Sequence, residues 1–181
     1  VCYNSKKSYI QSLCCAITRA HPDYEPIGIR GADGNYRQLN TSILQIENEF
    51  YSAIRPKRTA RAGETALAAL ENRGVEYIEV RCLDVAPFSP LGLSREQVNF
   101  LDTFLLYCAL KDSPETGIAE SGMILRNQKN IVNQGRDKAL VLEHKEHGKL
   151  SARQWGLDLI DSMRPVAELL DAAHQTDAHA C

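Results

Sequence analysis

The nine residues from Val75 to Leu83 constrain this chain more than any other stretch of it. Ile78, Val80 and Cys82 alternate with Tyr77, Glu79 and Arg81, and a period of two sends each set to its own side of a strand. A helix would scatter the same six residues around its circumference. The pattern predicts a strand with an apolar back and a charged front, its back covered by a helix over 94–110. Ile43 to Ile54 repeats the pattern, with Leu44, Ile46 and Phe50 opposed to Gln45, Glu47, Glu49 and Tyr51, and with Ile43 and Asn48 as exceptions. Two such strands predict an antiparallel sheet with one solvated face.

Glycine and proline supply the punctuation. Arg55-Pro56-Lys57-Arg58 is read as the end of the first strand, because proline cannot donate to a ladder. Glu64 to Asn72 reads as a short helix closed by Gly74. Upstream, Tyr9, Leu13, Cys14 and Ile17 fall at helical spacing within 8–20, and Gly31 to Gly34 divides two short segments that predict a hairpin. Downstream, Ser94 with Gln97 forms a capping box for a helix whose apolar stripe is Val98, Leu101, Phe104, Leu105 and Cys108. Two more helices are predicted over 119–134 and 151–175. The last has Leu157, Ile160, Leu169 and Leu170 on its apolar side and a kink at Pro165. The fold class is α+β, with a sheet-forming part over 1–90 and a helical part over 91–181.

Composition narrows the function. The 181 residues are 44% hydrophobic, enough for a core, and 21 Lys and Arg against 23 Asp and Glu leave a net charge of −2. Such a chain has no global attraction for nucleic acid or an acidic membrane, so a basic site must be local. The absence of a long apolar run or a basic-then-apolar leader gives a cytoplasmic expectation. Cys2, Cys14, Cys15, Cys82, Cys108 and Cys181 form no CxxC pair and lie mostly in apolar surroundings, which predicts buried, reduced thiols instead of disulfides or a zinc site.

Two local features carry chemistry. Glu79 and Arg81, two apart on one strand, point the same way. They are either a solvated ion pair of little consequence or a hard oxygen ligand for Mg²⁺ beside a bidentate donor for a phosphoryl group. Arg55, Lys57, Arg58 and Arg61 form a basic cluster, read either as a solvated turn or as a site for a phosphate-rich ligand or nucleic acid. Neither GxxxxGK[ST] nor GxGxxG occurs, so the common nucleotide cradles are absent.

The blocks Leu44-Gln45-Ile46-Glu47-Asn48-Glu49-Phe50-Tyr51, Ile54 to Arg58, Gly63-Glu64, Gly74 to Arg81, and Asp84 through Pro87-Phe88-Ser89-Pro90 together resemble the proteobacterial type of glutamate–cysteine ligase. The resemblance continues through Gln97-Val98 and Phe100-Leu101-Asp102, and more weakly through Arg126 and Gly135-Arg136. It implies a fold related to glutamine synthetase. It also implies ATP-dependent joining of the glutamate γ-carboxyl to the cysteine amine through γ-glutamyl phosphate, the first step of glutathione synthesis. By the same resemblance Glu79 is a Mg²⁺ ligand, Arg81 contacts the transferred phosphoryl group, Tyr51 and Tyr3 line the cysteine subsite, and Arg55 and Lys57 are nucleotide-side residues. ATP and Mg²⁺ are the implied cofactors. Glutamate, cysteine and the remainder of a longer enzyme chain are the implied partners, with neither nucleic acid nor membrane expected. Family members are much longer and carry an extra loop between the positions of Tyr3 and Ser8, so the chain corresponds to their C-terminal part and is expected to be inactive by itself. The alternatives are another carboxylate–amine ligase of the superfamily, or a non-enzymatic nucleic-acid-binding module built on the Arg55 to Arg61 cluster.

Overall fold

The computed structural model describes residues 1–179, and Cys181 lies outside the described residues. The chain divides into two compact units, Val1–Asp84 and the residues from Val85 onward. In the first, helix α1 (Lys6–Thr18) starts at a reciprocal capping box between Ser5 and Ser8 and buries Tyr9, Ile10 and Leu13. Helix α2 (Ala66–Arg73) contributes Leu67 and Leu70 to the same core, with Ile17, Leu44 and Phe50 packed at its rim. Thr65 caps α2, and Gly74, at φ 76°, ends it in a conformation that side chains other than glycine adopt at a cost. Cys14 and Cys15 are exposed, because Tyr9, Ile10 and Leu13 already occupy the inward face of α1. Cys82 and Cys108 are exposed as well, so the expectation of buried thiols is corrected at four positions.

The predicted strand over 43–54 does not form. A single 3-10 turn at Glu47–Glu49 takes its place, and the strand proper is β1 (Ile54–Lys57). The polar residues that alternation assigned to a solvated face are used as local acceptors and donors instead. Gln45 Oε1 accepts from Leu39 N–H at 2.8 Å, and Glu49 Oε2 accepts from Gln45 N–H at 2.6 Å. Proline does not end the strand either. β1 pairs antiparallel with β2 (Tyr77–Val80), with Arg55 opposite Glu79 and Pro56 opposite Ile78. Arg81 N–H donates to the Ala53 carbonyl at 2.8 Å, and counting by twos from that bond makes Pro56–Ile78 a non-bonded pair. The Pro56 nitrogen therefore faces away from β2, where a missing N–H does not interrupt the ladder. The predicted hairpin around Gly31 to Gly34 is reduced to one bridge between Arg30 and Tyr36.

The ribbon's apolar side carries Ile54, Pro56 and Ile78, which line a pocket with Tyr3, Tyr9 and Ile10. This corrects the expected cover. Residues of α1 and its lead-in face that side, Ile78 remains half exposed, and the helix over 94–110 pairs with the last helix of the second unit.

In the second unit α3 (Arg95–Leu110) begins at the Ser94/Gln97 capping box, and α4 is Ile118–Gln134. The expected apolar stripe of α3 is only partly covered: Leu101, Phe104 and Leu105 are half-buried, Val98 and Cys108 are exposed, and the buried residue is Thr103, outside that stripe. A tight hairpin, β3 (Val141–His144) with β4 (Gly148–Ser151), had no counterpart in the sequence reading. Helix α5 (Ala152–His174) runs through Pro165 and buries Met163, Val166, Ala167 and Asp171. Leu157, Ile160 and Leu169 are exposed, so the inward stripe of α5 is rotated from the expected one.

Candidate active site on the first ribbon

The charged face of the β1–β2 ribbon brings together residues that are more than twenty positions apart. Glu79 Oε1 accepts from an Arg81 guanidinium nitrogen at 3.0 Å, and Glu79 Oε2 lies 3.7 Å from Lys57 Nζ. Arg55, directly across the ladder, is only 5% exposed and adds a third positive charge. The Arg81 hydrogen bond, reinforced by the charges of Lys57 and Arg55, holds the Glu79 carboxyl below the usual glutamate range, and Glu79 in turn raises Arg81. Three cations thus converge on one carboxylate, leaving a local excess of positive charge suited to a polyanion.

Two polar atoms in this group are shielded from solvent without a hydrogen-bond partner, Glu79 Oε2 and Arg55 Nε. Such atoms are costly in a core and mark a place where a ligand completes the bonding. A carboxylate oxygen without an N–H or O–H donor fits a hard cation such as Mg²⁺. Among the described residues no group of three or more His, Cys, Asp or Glu could hold a metal, so Glu79 fits as one ligand of a set completed elsewhere.

Tyr51 follows the 3-10 turn and stands over Arg81, with the guanidinium carbon 5.7 Å from the ring centroid. Tyr3 is placed differently. Its hydroxyl donates to the Ile54 carbonyl at 3.0 Å and its ring lies 5.4 Å from that of Tyr9, on the apolar side of the ribbon. The structure groups Glu79, Arg81, Lys57 and Tyr51, keeps Arg55 beneath them, and leaves Tyr3 off the charged face.

The basic cluster is not a free patch. Arg55 is buried, Lys57 pairs with Glu79, and Arg58 donates to the Arg73 carbonyl at 2.7 Å. Arg61 is exposed. Two residues that the sequence reading left without a role belong to the support of the site. The Tyr9 phenol is pushed up mainly by burial, with the Arg55 guanidinium pulling the other way. Glu47 accepts from the N–H groups of Ala66 and Leu67 at 2.6 and 3.1 Å. The alternation assigns Glu47 to a polar strand face, so its bond to a helix start nineteen residues away has no signal in the local pattern.

Comparison with known proteins identifies the family. The glutamate-cysteine ligase family model matches residues 1–131. A glutamate–cysteine ligase of Saccharophagus degradans is 62% identical over 99% of this chain and 34% of its own length, and one of Pseudomonas putida is 47% identical over the same shares. The chain therefore spans about a third of the length of the curated relatives it matches. Among solved structures, the glutamate–cysteine ligase of Francisella tularensis in complex with AMP matches with a TM-score of 0.85 and 38% identity, covering 98% of this chain and 37% of that one. The α+β fold with its small antiparallel ribbons is that of the glutamine-synthetase-like ligases. On the family match and these identities, the chain belongs to the glutamate–cysteine ligase family.

Proposed function

We propose that this chain is part of an ATP-dependent ligase that joins the γ-carboxyl of glutamate to the amine of cysteine. The observation that carries the reading is the convergence of Arg81, Lys57 and Arg55 on Glu79, whose Oε2 is shielded from solvent and accepts no hydrogen bond. Family membership names the reaction class that such a group serves.

Glu79 would supply one oxygen to a Mg²⁺ ion, which when bound neutralises phosphate charge and draws phosphoryl oxygens into register. Arg81 would present its planar fork to the phosphoryl group in transfer, where a preorganised donor stabilises the charge that develops. Lys57 would hold the nucleotide's phosphates as a point charge. Arg55, being buried, would act on the nucleotide side through its charge on Glu79. Tyr51, above Arg81, would bound the cysteine side and keep water from an activated carboxyl; Tyr3 would join it only if the ribbon's edge is shared. The setting is the cytoplasm. The 181 residues alone would be inactive, because one carboxylate is too few oxygen ligands for the metal.

The test is ADP release by a chain extended to the relatives' full length. Turnover that requires both glutamate and cysteine, with γ-glutamylcysteine as product, supports the reading. Turnover that proceeds equally with another amine in place of cysteine defeats it in favour of a different carboxylate–amine ligase.

A further inference from the structure

Tyr51 is 75% exposed, its ring lies 5.7 Å from the Arg81 guanidinium carbon, and its backbone continues directly from the segment that ends at Phe50. Among the contacts that fix the preceding segment, three stand out. Phe50 packs edge-on to Tyr9 with ring centroids 6.3 Å apart, and Asn40 Nδ2 donates to the Gln45 carbonyl at 2.7 Å. The third is that of Glu47. Its two carboxylate oxygens accept from the first two amides of α2, Ala66 N–H at 2.6 Å and Leu67 N–H at 3.1 Å. Thr65 Oγ1 takes the next, Ala68 N–H, at 3.2 Å. A helix leaves its first amides without acceptors, and its N-terminus favours negative charge, so the Glu47 contact combines two hydrogen bonds with a charge–dipole attraction.

Thr65 is the local cap that a helix of this length expects, whereas Glu47 reaches α2 from nineteen residues upstream. The stability of α2 could have come from a residue beside it. What the distant carboxylate adds is a fixed distance between α2 and the turn that ends at Tyr51. We propose that Glu47 is a positioning residue for Tyr51, and through it for recognition of the amine substrate's thiol-bearing side chain. The inference rests on the reading of Tyr51 as a cysteine-side residue. Glu47 itself touches no substrate. Its carboxylate is committed to α2, so it acts by setting where the ring stands over Arg81.

The experiment uses the full-length enzyme and three variants, Glu47→Gln, Tyr51→Ala and the double variant, with KM for cysteine, glutamate and ATP measured separately. Misplacing a positioned group by a fraction of an ångström is expected to raise the cysteine KM about tenfold in Glu47→Gln, with the glutamate and ATP KM values within about twofold of the parent. Because Glu47 acts only through Tyr51, the double variant should be no worse than Tyr51→Ala alone; a purely structural residue would add its effect. Full additivity overturns the proposal. So does an unchanged cysteine KM in Glu47→Gln beside a raised one in Tyr51→Ala, which leaves the reading of Tyr51 standing. An unchanged cysteine KM in Tyr51→Ala removes that reading and the inference together. Should Glu47→Gln fail to fold, Glu47→Asp keeps the charge on a shorter arm. A raised cysteine KM at an unchanged unfolding midpoint then supports the proposal, and an unchanged KM overturns it.

Discussion

The molecule contains two antiparallel ribbons of the same size, each four residues per strand, and they solve the problem of charge in opposite ways. In β3–β4, polar groups are matched as they are buried. Asn127 on α4 donates to the Glu143 carbonyl at 2.7 Å and accepts from Glu143 N–H at 2.9 Å, a two-point clasp that imitates a third strand. Arg126 closes a bidentate contact on the Glu143 carboxylate at 2.8 and 2.7 Å. In β1–β2, the Arg55 cation is buried and three positive groups face one acid. Both of the solvent-shielded side-chain atoms without a hydrogen bond found among the described residues lie there. A ribbon built only for structure would be expected to resemble the second. Unmet polar demand in the first is the physical mark of a site that expects a ligand.

The largest break in this comparison should come from Arg81→Lys in the full-length enzyme. Lysine keeps the charge but loses the planar fork, and kcat should fall about 10²-fold or more, the scale of one preorganised electrostatic donor. A near-normal rate of γ-glutamylcysteine formation would reduce the Glu79–Arg81 contact to an ordinary surface pair.

Stability separates the ribbons next. Arg55→Ala empties the space of a side chain that is only 5% exposed and removes one of the charges acting on Glu79, and should cost about 2–3 kcal/mol in denaturant unfolding. Arg126→Met, on the exposed pair of the second ribbon, should lower the unfolding midpoint only slightly. Equal effects from the two would erase the distinction. Within the second ribbon the important residue is the clasp. Asn127→Ala strands an N–H and a carbonyl of Glu143 and should cost about 2 kcal/mol by the same measurement.

The smallest effect is one of pH. Arg126 holds the Glu143 carboxyl below the usual glutamate range. A carboxyl with a depressed folded-state pKa stabilises above its unfolded value and loses that contribution as pH falls through the folded one. Glu143→Gln should therefore be slightly less stable than the parent at neutral pH, with the gap closing below about pH 4.3. A gap that widens in acid would contradict the assigned direction.

Local signals were the legible ones. The Ser94/Gln97 box and Gly74 mark helix ends through contacts that span three or four residues, and both stand where the sequence puts them. The sharing of a face by Glu79 and Arg81 follows from the period of two and needs no partner strand. What escaped reading depends on distant partners. Lys57 meets Glu79 only because β1 and β2 pair in one register across α2. The alternation from Ile43 to Ile54 looked like a strand because Glu47 and Glu49 are polar at the right spacing, yet both carboxylates are spent on amides. The hairpin β3–β4 hid among charged residues, and its signal was the Gly148 turn at φ 70°.

The bond from Glu47 to α2 also bears on how that helix exchanges its protons with solvent. First-turn amides of a helix ordinarily exchange fast, since no backbone carbonyl of the helix accepts from them. Ala66 and Leu67 are held by an acid that lets them go when the 44–51 segment lifts. Their deuterium uptake is therefore a clock for the opening of a segment twenty residues earlier, timing local unfolding beneath Tyr51 from amides that never touch it.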